Sequence, residues 1–286
     1  MNFVTLIIVM KRELDIAVIS DVHLGTYGCH AKELLNYMGS IKPKTLILNG
    51  DFIDIWQFKK NWFPADHLKV IQKLLKMAAK GTQIYYLTGN HDDALRHYTD
   101  FTNGNIHLRD KLELEIKGEK YLIFHGDVFD FSVNLSPFLA KIGGKSYDWL
   151  IVLNRFINRI RISLGLTPLS FAKKIKESVK KAVKFVDDFE QTAIEVASKQ
   201  GCQYVICGHI HKAQFRKEQT STGQVTYLNS GDWVESLTAL EYVYNDWSIY
   251  EYNEVDYKIL NPRLKTEKVK ESIDVPKTFE EVIMNF

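Results

Sequence analysis

Five short hydrophobic runs recur along the chain, Ile16–Ile19, Thr45–Leu48, Ile84–Leu87, Tyr121–Phe124 and Tyr204–Cys207, and each stops abruptly at a polar turn. Runs of this length, rich in branched or aromatic residues, read as buried strands. Between them, Ala31–Ile41 and His67–Lys80 carry apolar residues at helical spacing, as in Leu68, Ile71, Leu74, Leu75 and Ala78, and Lys80-Gly81 supplies a glycine stop. Leu112–Ile116, Gly118-Glu119 and Tyr121–Phe124 read as a hairpin. Strand and helix thus alternate through residue 127, the order of a layered α/β fold.

From Phe129 to about Gln200 the pattern turns mostly helical, divided by Pro137, Gly143-Gly144 and Gly165–Pro168, and reads as an insertion. Its segment Tyr147–Leu164 combines large apolar residues such as Trp149, Leu150, Ile151 and Phe156 with Arg155, Arg159 and Arg161. An apolar face flanked by arginines suits a membrane surface or a groove for greasy ligands. Strands return at Ala213–Gln219, Val225–Leu228, Ser236–Tyr244 and Trp247–Tyr252, with turns at Ser221-Thr222-Gly223 and Asn245-Asp246. The expected organisation is one domain over residues 1–286, with a helical lid at about 129–200 and a peripheral tail at about 255–286.

Charge changes this picture locally. The net charge is +2, but between Val128 and Val186 eleven Lys or Arg stand against three acidic residues, so that segment carries +8 and the remainder −6. Local basicity of this size favours phosphates, nucleic acid or an acidic lipid surface. Three cysteines, none in a Cys-x-x-Cys pair, indicate neither a disulfide framework nor a zinc knuckle, and a reducing cytoplasm fits. The apolar stretch Phe3–Met10 lacks the features of a signal peptide and is too short to span a bilayer; it reads as a leading strand or extension, or as a weak membrane contact.

The chemistry lies where the strands end, at Asp21-Val22-His23, Gly50-Asp51, Gly89-Asn90-His91-Asp92, His125-Gly126-Asp127 and Gly208-His209-Ile210-His211. Asp21 and His23 alternate on extended backbone and share a face, as do His209 and His211. Five of the nine histidines fall in these motifs, whereas core or surface histidines scatter, as His30, His67, His97 and His107 do. A carboxylate such as Asp51 can bridge two cations, while an imidazole or the Asn90 amide oxygen serves one. Mixed N and O ligands suit Mn, Fe, Zn or Co, with manganese the first expectation, and do not suit calcium. Two such ions about 3.5–4 Å apart polarise a phosphoryl oxygen and supply the attacking hydroxide, which predicts phosphoester or phosphoanhydride hydrolysis.

On these motifs the chain resembles the calcineurin-like metallophosphoesterase superfamily. The resemblance implies a four-layer α/β/β/α sandwich. It also implies one metal held by Asp21, His23, Asp51 and His211, and a second by Asp51, Asn90, His125 and His209. His91 is then the proton donor to the leaving oxygen, or alternatively only a phosphate ligand, and Asp54 orients it. Asp92, Asp127 and Asp232 are expected to support the site through hydrogen bonds.

Ser20–Gly25, Leu48–Trp56 and the insertion after His125-Gly126-Asp127 are similar to the UDP-2,3-diacylglucosamine pyrophosphatase branch, which cleaves a nucleotide-linked glycolipid of lipid A synthesis to UMP and a lipid phosphate. In that reading the insertion holds acyl chains, Asn90, Lys180 and Lys181 contact substrate phosphate, and the enzyme works on the cytoplasmic membrane face. The chain departs from that branch at His91, where those enzymes carry an arginine that holds the pyrophosphate. A phosphodiesterase or phosphatase for soluble nucleotide or sugar phosphates is therefore the alternative, followed by a nuclease and a non-catalytic scaffold. Long aliphatic runs beside Trp149 and Phe156 favour greasy ligands over the stacked bases of nucleic acid.

Overall fold

A computed structural model describes residues 11–57, 63–129 and 171–254, the first part of the last helix, residues 171–182, through its backbone. The chain divides into two units, Met10–Tyr252 and a second of Met1–Val9 with Asn253–Phe286, which lies almost wholly outside the described residues. The apolar N-terminal stretch, the helix expected at 147–164 and most of the tail fall outside them too.

The larger unit contains strands β1 (Arg12–Ile19), β2 (Ile41–Asn49), β3 (Gln83–Leu87), β4 (Thr102–Asn103), β5 (Ile106–Arg109), β6 (Lys111–Ile116), β7 (Glu119–Phe124), β8 (Tyr204–Cys207), β9 (Gln214–Thr220), β10 (Gly223–Asn229), β11 (Thr238–Val243) and β12 (Asp246–Glu251). Helices α1 (Ala31–Ser40), α2 (Ala65–Ala79) and α3 (Phe171–Lys199) accompany them. One sheet has the order β12-β11-β1-β2-β3-β5-β4 and the other β6-β7-β8-β10-β9. The central pairs β1–β2, β2–β3 and β7–β8 are parallel.

Burial follows the period of two that a strand imposes. Along the second half of β1, Ala17 and Ile19 face the α1 and α2 side, with Leu34, Met38, Val70 and Leu74. Ile16 and Val18 turn the other way and meet Tyr121, Ile123 and Ile206 of the second sheet. That sheet's far face, Leu122, Val205, Cys207 and Tyr227, is covered by Phe189, Ala193, Ile194 and Ala197 of α3. The result is the expected four-layer α/β/β/α arrangement, and strands covered on both faces explain the nearly continuous apolar runs. The last turns of α3, within the stretch read as an insertion, pack into the sandwich itself.

Three details differ from the expected elements. β2 runs back to Ile41, through Pro43, which pairs with Leu14 of β1; the pairing with β3 starts only at Thr45, so the missing proline N–H faces no partner strand. The β11–β12 turn is centred on Tyr244 and Asn245, with φ of 52° and 69°, one residue before the expected Asn245-Asp246. The edge strand β4 and its neighbour β5 come from a polar stretch that carries little hydrophobic signal. Among the described residues no helix is long and apolar enough to cross a membrane.

Candidate metal centre

The loops that follow β1, β2, β3, β7 and β8 meet at one edge, so residues from both sheets face each other across the seam between them. The pairs Asp21/His23 and His209/His211 do not sit on the extended backbone expected from their spacing: five residues in these loops have left-handed backbone, Asp21 (φ 52°), His23 (53°), Asp51 (52°), His209 (70°) and His211 (54°). Such a conformation costs on the order of 1–3 kcal/mol per non-glycine residue and persists only where its surroundings fix it. Here they do. The amides of Asp21, His23 and Leu24 donate to the carbonyls of Gly50, Asp51 and Phe52 at 3.2, 2.9 and 2.9 Å, carrying the β1–β2 pairing into the loops. Trp233 N donates to Asp21 O at 3.1 Å, and Gly208 N to His125 O at 3.0 Å.

The side chains are equally constrained. His91 N donates to Asp51 Oδ1 at 2.8 Å, and His209 N to Asp21 Oδ2 at 3.0 Å. His125 Nδ1 donates to the Asn49 carbonyl at 2.8 Å, which leaves Nε2 as the acceptor nitrogen, 3.3 Å from Asp51 Oδ2. His211 Nε2 lies 3.2 Å from Asp21 Oδ1. His91 Nδ1 donates to Asp54 Oδ2 at 3.0 Å, and His23 Nδ1 is 3.6 Å from the same oxygen. Two glycines make the approach possible: a Cβ on Gly50 would lie 2.3 Å from the His125 ring, and one on Gly89 would lie 2.2 Å from Asp51 Oδ1.

Electrostatics keep the carboxylates ionised. Burial pushes the Asp21 carboxyl up, but His211, His125 and His23 outweigh it and hold the group well below the usual carboxylate range. Asp51 is likewise lowered, burial being outweighed mainly by His125. Burial lowers His125 and His211, yet facing carboxylates, Asp51 and Asp21 for the first and Asp21 for the second, raise them to about 10 and about 9. His91 is raised chiefly by its hydrogen bond to Asp54.

Three sets of ligand atoms come within 4.8 Å of one another: Asp21, His23 and His211; Asp51, His125 and His209; and His23, Asp51 and His91. The residues fit divalent ions on an observation independent of any comparison. Asp21 Oδ1, His23 Nε2, Asn90 Oδ1 and His125 Nε2 are buried without a hydrogen-bond partner, a costly arrangement unless another group coordinates them.

The structure therefore brings Asp21, His23, Asp51, Asp54, Asn90, His91, His125, His209 and His211 to one edge. It places His91 beside His23 and Asp51, with a candidate ligand atom of each within 4.8 Å of the others. The side chains of Lys180 and Lys181 lie outside the described residues. Asp92 braces the third loop, accepting from Gly89 N, Phe52 N and the Tyr86 hydroxyl at 2.6, 3.0 and 2.6 Å. Asp232 accepts from Val234 N, Glu235 N and Ser236 N, and Asp127 from Arg96 at 2.6 Å. Arg96 escaped the sequence reading, as did His67, whose Nδ1 accepts from Gly25 N at 2.9 Å and so ties α2 to the first loop. The only sequence signal for Arg96 is its place one turn after Gly89–Asp92.

The sequence profile of the calcineurin-like phosphoesterases matches residues 14–213, a span that contains all five loops. The chain belongs to the calcineurin-like phosphoesterase family. It is a phosphoester hydrolase of that family, and the clustered carboxylates and histidines are its candidate divalent-metal ligands. Among similar proteins is the UDP-2,3-diacylglucosamine hydrolase of Aliivibrio fischeri, 26% identical over 242 residues, covering 83% of this chain and 98% of that protein. The enzyme of the same name from Histophilus somni is 25% identical over 238 residues, covering 81% and 96%. A solved archaeal phosphodiesterase is 17% identical with a TM-score of 0.43, covering 82% of this chain and 98% of its own.

Proposed function

We propose that the chain cleaves the pyrophosphate of a UDP-linked diacylated glucosamine, releasing UMP and the acylated sugar phosphate, with two divalent ions of which manganese is the first candidate. The hydrolytic part is carried by one observation: Asp21, His23 and His211 form one ligand set and Asp51, His125 and His209 another, and Asp21 Oδ1, His23 Nε2 and His125 Nε2 within them are buried without a hydrogen-bond partner. The choice of substrate is supported by relatives of that name, matched over nearly their whole length. On this reading the enzyme works at the cytoplasmic face of a membrane.

Asp21, His23, Asp51 and His211 would hold one ion and Asp51, Asn90, His125 and His209 the other. When bound, the ions act as Lewis acids toward the phosphoryl group and make water a stronger nucleophile. The remaining steps belong to the protein. The Asp51 carboxylate, fixed by the His91 amide, faces both ligand sets. His91, held through Nδ1 by Asp54, presents its other nitrogen to the leaving oxygen and donates a proton there.

Purified protein with Mn(II) is expected to hydrolyse the diacylated UDP-sugar faster than bis(p-nitrophenyl) phosphate or simple monoesters. Treatment with a chelator should abolish turnover, and added divalent ion should restore it. Turnover confined to short soluble esters would overturn the lipid substrate and leave a soluble-substrate phosphodiesterase. The acid role has its own test. His91→Ala should lose on the order of 10²–10⁴-fold in kcat on substrates with poor leaving groups, yet much less on a p-nitrophenyl ester, whose leaving oxygen needs no proton. Equal losses on both would make His91 a phosphate-binding residue only.

A further inference from the structure

We propose that Phe189 and Glu190, neighbours on α3, are positioning residues that seat His125 and the His209–His211 loop of the metal site. The inference rests on the metal reading above. Phe189 is fully buried, and its ring stacks on the His209 ring at 6.0 Å between centroids and 29° between planes. The same ring lies beneath the peptide that follows His125: Gly126 has φ +114°, and a Cβ there would come within 2.4 Å of Phe189 Cζ. One aromatic side chain therefore supports both histidines, whose own rings meet at 5.1 Å and 75°.

Glu190 acts on the far end of the His209 loop. Its side chain is 4% exposed and pairs with Arg216 of β9 at 3.1 Å and with Lys212 Nζ, the residue after His211, at 3.6 Å. Arg216 is also held by Glu218 and Asp187, at 3.0 and 3.1 Å, so it is a fixed anchor. Residues 208–212 are thus supported by a flat ring under His209 and by a buried carboxylate at their exit. Phe189 therefore bears on His125 and His209, while Glu190, through Lys212, bears on the His211 end of the same loop.

The groups that orient a metal ligand change metal affinity about 10–100-fold when removed, without touching the ion. The test is a calorimetric Mn(II) titration of the full chain as wild type, Phe189→Leu, Glu190→Gln and His209→Ala. Phe189→Leu removes the flat face but keeps much of the volume. Glu190→Gln removes only charge, and it decides the matter by itself if the leucine variant does not fold. Wild type is expected to bind two ions and His209→Ala to lose one. Phe189→Leu should weaken one ion about 10–100-fold, Glu190→Gln should weaken binding through the His211 end of the loop, and both should lower kcat more than they raise KM. Unaltered binding of both ions, with no change beyond a lower melting temperature, would reduce the pair to ordinary packing and overturn the proposal. If His209→Ala binds two ions as wild type does, the metal-site reading itself is wrong, which is a different result.

Discussion

Asp51→Asn is expected to lower hydrolysis by on the order of 10³-fold or more, the scale on which a single preorganised electrostatic contact acts, and to reduce the bound divalent ions from two. The substitution is nearly isosteric. Asp51 is 2% exposed and its Oδ1 accepts the His91 amide, a bond the asparagine oxygen can keep, so the loop is expected to stay in place. What disappears is the negative charge opposite His125 Nε2 and the second acceptor oxygen, because an amide nitrogen cannot bind a cation. Metal content, turnover and a melting curve on the same preparation check this. Full turnover at wild-type metal content would refute the assignment of Asp51, and with it the shared-ligand geometry.

The second large effect is steric. Gly50→Ala places a methyl group 2.3 Å from the His125 ring at a residue with φ +79°. The ring has no room to retreat without losing the Nδ1 bond to Asn49 O. We expect a loss of roughly 100-fold or more in metal affinity or activity, at the upper end of what a displaced ligand costs. Stability should fall by about 1–3 kcal/mol from backbone strain and overpacking. Gly118→Ala separates the two causes, since Gly118 has a similar φ of +81° but nothing within 4 Å of its Cβ. It should share the backbone cost and keep full activity, so equal activity losses in the two variants would rule out the collision with His125.

Much of this architecture is visible in the sequence because of how the sheets are covered. β1, β2, β3, β7 and β8 are apolar on both faces, so each motif is announced by a hydrophobic run that stops. Long-range contacts leave no such mark. The left-handed backbone at Asp21, His23, Asp51, His209 and His211 is fixed by bonds between loops 28 and more residues apart, such as His23 N to Asp51 O. Arg96 reaches Asp127 across 31 positions and Phe189 stacks on a histidine 20 residues later, so a local reading sees a surface arginine and a helix-core phenylalanine. The sequence also groups α3 with the insertion, because helical periodicity does not reveal which turns of a helix pack on a sheet.

The β7–β8 pairing has a consequence for how such an enzyme acquires new substrates. Tyr121, Leu122 and Ile123 register against Tyr204, Val205 and Ile206, so His125 and His209 are delivered side by side although 84 positions separate them. The chain between them is a crossover that a parallel pair requires in any case. Lengthening a flexible connection costs only about 0.6 kcal/mol for each doubling. Outside the turns of α3 that pack on the second sheet, that interval is consequently an open slot: recognition elements can be exchanged there while the hydrolytic machinery keeps its spacing, and a change of substrate need not be a change of chemistry.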